Sequence, residues 1–233
     1  SPDEVDAVLA AARGTVHMVT LAPELEHGMD AVRRFANAGV LAATGHSDAD
    51  WNQAKAAVDS GSTVTTHLFN QMRPIHHRAP GPMPAFMADP RMHVELIADG
   101  IHVHPAVIAM VRQAVPADRI VLVTDAMAAT GQSDGSYMLG DLAVTVTDGV
   151  ARLTEGGALA GSTLTMDRAV RLVVRQCGFS LSDAVMAASV TPARLLRRDD
   201  IGSIEPGKDA DLVALDDDLV LQQVWHKGAL VTD

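Results

Sequence analysis

Short runs of apolar, mostly β-branched residues alternate along much of the chain with stretches whose apolar positions recur every three or four residues. The runs at 15–21, 40–44, 62–66, 94–98 and 120–124 predict strands, and the periodic stretches at 3–13, 29–38, 49–60 and 105–114 predict helices. In the third helix Trp51, Ala54 and Val58 mark one face, and Ser47 or Asp48 is placed to cap it. The link between the third and fourth strands is irregular and rich in proline, and Gly81-Pro82-Met83-Pro84 reads as a turn entering a short helix. Strands alternating with helices of this length form βαβ units and a parallel sheet. Most of these strands run into a polar cluster, at the end where a barrel gathers its active site.

The pattern changes after residue 130. Residues 137–146 and 150–153 read as two strands of a hairpin joined by Thr147-Asp148-Gly149. Helices are predicted at 165–176, 181–188 and 192–197, the last with Thr191 as N-cap before a proline at its first position. From 201 to 233 short strands are separated by Gly, Pro and Asp. Only five strand-plus-cluster units are visible, and a full (β/α)8 barrel takes about 250 residues. The expected fold is therefore α/β, a partial TIM-type barrel.

Composition narrows the class. With 233 residues, 48% hydrophobic and 20% charged, the chain buries a real core, built almost without aromatics at 3%. A net charge of −11 argues against a nucleic-acid binder, whose affinity rests on a basic surface. Cys177 is the only cysteine, so no intrachain disulfide forms and a cytoplasmic setting is expected. No apolar stretch is long enough to predict a membrane span, and the opening residues bear no likeness to a signal peptide. The Walker A, GxGxxG, GxSxG and paired CxxC patterns are absent, which removes nucleotide, serine-hydrolase and zinc-finger readings.

Two histidines carry the main chemical signal. His46 in TGHS and His67 in TTHLFN each follow a β-run directly, so both imidazoles project from neighbouring strand ends. They are either ligands of a divalent ion or unrelated histidines satisfied by hydrogen bonds. Asp125, ending the apolar run VLVTD, is either a buried acceptor or a general base. His102 in ADGIHV either touches substrate or belongs to a surface loop; His104, before a proline, reads as a helix-start residue. Arg73-Pro-Ile-His-His-Arg78 is a basic patch suited to an anionic group, or else a solvated loop. Glu24 in TLAPE is a ligand or a structural acceptor, with the second preferred.

Taken together, TLAPE, GHS, THLFNQM, ADGIHV, TDAM and LAGSTLTM in this order resemble the N-acetylglucosamine-6-phosphate deacetylase branch of the amidohydrolase superfamily. The tail GSIEPGKDADLV resembles that superfamily's return into a small β-sandwich. The resemblance implies that residues 1–198 are the later part of the barrel and 199–233 are sandwich strands. It implies His46 and His67 as metal ligands, zinc before iron, cobalt or manganese, with Asp125 as general base and proton donor. Asn70, Gln71 and His102 are expected at the sugar phosphate, and Leu159, Ala160 and Gly161 beside the sugar. Arg78 is expected to bind phosphate, reaching into the neighbouring subunit of a homodimer. The branch commonly has Ala where this chain has Gln71, a change that a backbone contact survives. The branch's third protein ligand, a Glu in an HLEGP-type motif, has no counterpart in this sequence, so the chain is expected to be part of a longer protein. Two rivals remain: a cyclic-amide hydrolase or dipeptidase, which calls for a carboxylated lysine, and an inactive barrel remnant serving as a binding or assembly module.

Overall fold

The computed structural model describes residues 1–232. In chain order its first elements are α1 (Pro2–Ala12), β1 (Met18–Leu21), α2 (Gly28–Asn37), β2 (Leu41–Thr44), α3 (Trp51–Asp59) and β3 (Ser62–Thr65). They are followed by α4 (Met83–Ala88), β4 (His93–Ile97), α5 (Pro105–Ala114) and β5 (Ile120–Val123). The five strands are parallel and lie side by side in chain order. Order without reversal is the winding of a barrel, whereas a doubly wound sheet reverses at a switch point. Beyond β5 the ladder continues by one step. The Met127 N–H donates to the Ser162 carbonyl at 2.9 Å, and the Ser162 N–H donates to the Asp125 carbonyl at 2.7 Å. That pairing brings the LAGS segment alongside the end of β5.

The interior behind this sheet is aliphatic and methionine-rich, as the composition requires. Phe86, Met83, Met92, Leu96, Ile108 and Ile120 are fully buried among α4, α5, β4 and β5. Burying each such side chain contributes about 1.5–3 kcal/mol before chain entropy is charged against it. This packing fixes the strand ends on which the polar clusters stand.

Local structure differs from the sequence expectation in three places. Helix α3 is capped by Asp50, whose carboxylate accepts the Gln53 N–H at 2.8 Å while the Gln53 side chain accepts the Asp50 N–H at 2.9 Å. Ser47 and Asp48 are engaged elsewhere: Ser47 donates to Glu24 at 2.6 Å, and Asp48 holds Arg73 at 2.7 and 2.9 Å. The expected strand at 137–146 is two strands, β6 (Gly135–Leu139) and β7 (Leu142–Thr147), paired with β8 (Val150–Leu153) in an antiparallel sheet. Leu139 pairs with Leu142, so Gly140 and Asp141 form a two-residue turn in which Gly140 takes φ 57°.

The third difference lies in the helices. After α6 (Met166–Gln176), α7 (Leu181–Val185) passes through a π-helical turn, Met186–Val190, straight into α8 (Thr191–Leu195). Thr191 has helical dihedrals (φ −63°, ψ −50°), so it continues the helix and is no cap. Pro192 lacks the N–H that would close the usual bond, and the wider π turn accommodates it. The chain ends in a second antiparallel sheet, β9 (Leu212–Leu215), β10 (Leu221–His226) and β11 (Ala229–Leu230).

Candidate active site

His46, His67 and Asp125 each stand two residues beyond the end of a barrel strand, β2, β3 and β5 respectively. All three take left-handed backbone conformations, with φ of 49°, 31° and 51°. Non-glycine residues avoid that region, so three at equivalent places mark a built site. Backbone bonds hold these turns: Gly45 N–H to Leu21, Thr66 N–H to Thr44 and Leu68 N–H to Glu95, at 3.1, 3.0 and 2.8 Å. Gly45 is required here, because a Cβ would lie 2.7 Å from the Thr66 Cβ and 2.9 Å from the Thr20 Cγ2.

The two imidazoles meet. The Nε2 atoms of His46 and His67 are 2.9 Å apart, with the rings in an edge-on arrangement. His67 is buried and its Nδ1 has no partner, whereas His46 is open to solvent. Burial holds the His67 imidazole below the ordinary histidine range, and neighbouring His46 pushes the same way while Asp125 opposes. A neutral imidazole is the form that binds a metal.

Beneath this pair lies a residue that sequence reading passed over. Glu95, on β4, is buried, and its carboxylate accepts the His67 N–H at 3.3 Å. Burial raises its carboxyl to about 7; the His67 bond pulls it back and the nearby Asp125 charge pushes it further up. A charged residue inside the apolar run HVELI was the available signal.

Asp99 is the second such residue. Its carboxylate takes His102 Nδ1 at 2.6 Å and the N–H groups of Ile101 and His102 at 2.8 Å each. Burial raises the Asp99 carboxyl, but those donors outweigh it and hold the group below its ordinary value. With Nδ1 committed to Asp99, Nε2 is the His102 atom left for a ligand.

A cavity of about 530 Å³ joins the histidine pair to His102 and Asp125. Its polar side is formed by His46, His67, Asn70, Gln71, His102 and Asp125, and its other side includes Leu159, Ala160 and Gly161. Gly161 has φ 63°, and a Cβ there would meet the Asp125 carbonyl at 3.1 Å. Asn70 also pins its own turn, donating to the carbonyls of His67 and Leu68 at 3.2 and 3.4 Å. Arg78 does not line this cavity. It is exposed, with Nη1 2.7 Å from His77 Nε2. Glu24 is committed to Ser47 and to the Asp48 N–H, both at 2.6 Å, which makes it a structural acceptor. His104 caps α5, accepting the Ala106 N–H at 3.1 Å.

The chain supplies two nitrogen donors of the right kind to a divalent ion, converging on one point at the cavity edge. Among the described residues no group of three or more His, Cys, Asp or Glu side chains stands ready to hold a metal.

A parallel strand array with two histidines and an aspartate at its C-terminal ends is the arrangement of metal-assisted hydrolases. The family model for the amidohydrolases matches residues 4–231, and the chain belongs to that family. Its place there is beside the amino-sugar 6-phosphate deacetylases. It is 44% identical over 230 residues to an N-acetylgalactosamine-6-phosphate deacetylase of Escherichia coli O157:H7, covering 98% of this chain and 60% of that one. It is 44% identical over 216 residues to an N-acetylglucosamine-6-phosphate deacetylase of Vibrio furnissii, covering 92% and 54%. The structure of a mutant N-acetyl-D-glucosamine-6-phosphate deacetylase of Mycobacterium smegmatis, in complex with N-acetyl-D-glucosamine-6-phosphate, superimposes with a TM-score of 0.95 at 47% identity. That match covers 99% of this chain and 61% of the other. The chain thus spans little more than half the length of these relatives.

Proposed function

We propose that the protein containing this chain hydrolyses the acetamide of N-acetylglucosamine 6-phosphate to glucosamine 6-phosphate and acetate. The observation that carries this reading is the convergence of His46, His67 and Asp125 on one cavity whose remaining polar lining is Asn70, Gln71 and His102. His46 and His67 would hold a divalent ion, zinc by the chemistry of imidazole donors. Bound there, such an ion polarises a carbonyl oxygen and makes water acidic enough to attack near neutral pH.

This chain's residues do the rest. Asp125 takes a proton from the attacking water on its carboxylate and returns it to the amine nitrogen as the C–N bond breaks. His102, steered by Asp99, and the polar groups of Asn70 and Gln71 bind the phosphate end. Leu159, Ala160 and Gly161 flank the sugar. Remote phosphate binding of this kind lowers the barrier at the reacting amide when it fixes the substrate's position. We assign Arg78 to a neighbouring subunit of a homodimer, a reading supported by its exposure away from its own cavity. We also assign residues 199–233 to a small β-sandwich and the protein to the cytoplasm. No helix among the described residues is long and apolar enough to cross a membrane.

The similarity to the E. coli relative favours a second substrate, N-acetylgalactosamine 6-phosphate. Acetate release from the two epimeric phosphates and from unphosphorylated N-acetylglucosamine, with added Zn²⁺, tests the choice. Faster turnover of the glucosamine epimer, and at least a hundredfold loss without phosphate, is expected. Equal rates with and without phosphate would contradict the assignment.

A further inference from the structure

The polar residues around the cavity all have work in the proposed reaction, whereas Met127, Leu139, Leu142 and Leu153 have none. These four are all apolar. The substrate offers one apolar group, the methyl of its acyl chain, and it is attached to the carbon under attack. We propose that Leu139 and Leu142, backed by Leu153 and Met127, form an acyl subsite that receives this methyl and limits the length of chain the site accepts. The inference rests on the deacetylase reading.

Strand register explains how the wall is built. Tyr137 pairs with Val144, Leu139 with Leu142, and Val144 with Leu153. Alternation puts Tyr137, Leu139, Leu142, Val144, Val146, Ala151 and Leu153 on one face of the β6–β8 sheet. The inner part of that face is packed: Val144, Val146 and Ala151 are buried with Met127 and Ala160. Leu139 and Leu142 continue the same face past the packed cluster, where they are 38% and 54% exposed and line the cavity. The sheet's own core therefore anchors them while their side chains meet no core partner. Met127 follows Asp125 by two residues, and Ala160 precedes the glycine that packs on the Asp125 carbonyl, so the wall abuts the proposed reacting centre. Met138 is a built-in control. It is 55% exposed on the same strand but faces the other way and does not line the cavity.

The test compares kcat/KM for the N-acetyl, N-propionyl and N-butyryl forms of glucosamine 6-phosphate in zinc-supplemented protein. Wild type is set beside Leu142→Ala, Leu139→Ala and Met138→Ala, with melting curves to confirm folding and Leu142→Val as a milder variant. One methylene in an apolar pocket changes selectivity by roughly 10–200-fold. We expect wild type to prefer acetyl over propionyl within that range, and the leucine-to-alanine variants to narrow the preference about tenfold or more. Met138→Ala should keep the wild-type ratio. Unchanged ratios in folded leucine variants that still release acetate would overturn the subsite alone. An equal shift in Met138→Ala would trace the effect to a loosened hairpin and would also overturn it. No turnover of the acetyl substrate by wild type would instead bring down the deacetylase reading itself.

Discussion

His46 and His67 face each other Nε2 to Nε2 at 2.9 Å, their rings 64° from coplanar. At that separation one nitrogen donates and the other accepts, so a single proton holds the pair together. A divalent ion drawing on both nitrogens needs each neutral ring to carry its proton on Nδ1, so binding switches the tautomer of the donor ring.

Zinc binding is expected to weaken as pH falls, because a proton on the ligating nitrogen competes with the ion, and burial of His67 moves that competition at its ring to lower pH. Calorimetric titration with zinc at a series of pH values reads that weakening directly. His46→Gln and His67→Gln should each weaken binding at least tenfold. Affinity indifferent to both substitutions would place the ion elsewhere.

Glu95 makes a pH prediction with a definite sign. Its carboxyl is held at about 7 by burial, above the ordinary 4.5, so the folded chain binds the proton more tightly than the unfolded chain. Stability is then fullest below about 4.5 as far as this group is concerned, and falls as pH rises from there through about 7. The loss amounts to about 3 kcal/mol at most. Melting temperatures of Glu95→Gln should decline less between pH 5 and pH 8 than those of wild type. Parallel curves would show that the carboxyl titrates normally.

Asp99→Asn should raise KM for the phosphorylated sugar by roughly tenfold, with a smaller effect on kcat. The expected cause is loss of the 2.6 Å bond that fixes the ring of His102. The asparagine keeps an oxygen for the two loop N–H groups, so the loop itself survives. Steady-state kinetics on both sugar phosphates checks the split. A fall in kcat with KM unchanged would move His102 from binding to chemistry.

Much of this arrangement is legible in sequence. Strand alternation and the clusters after β2, β3, β4 and β5 mark residues that line one cavity, because apolar strands and their polar ends have short-range signatures. The left-handed turns at His46, His67 and Asp125 leave no such signature, since nothing in a histidine or aspartate announces a positive φ. Glu95 acquires its role only when β4 is laid beside β3, bringing its carboxylate to the His67 N–H, whereas Asp99 acts locally on His102 three residues on. Local competition also misleads: Ser47, Asp48 and Asp50 are all good caps, and only tertiary bonds to Glu24 and Arg73 decide that Asp50 serves α3. The Pro192 reading fails for the converse reason, because packing carries one helix through a residue that alone would start another.

The most direct test of the proposed centre is acetate release from N-acetylglucosamine 6-phosphate with added Zn²⁺, wild type beside Asp125→Asn. Asparagine keeps the shape at that strand end but accepts no proton, so release should fall by a factor of about 10² to 10⁴ with the fold intact. Release that persists undiminished in Asp125→Asn would show that the proton moves through another group and that the His46–His67–Asp125 centre has been misassigned.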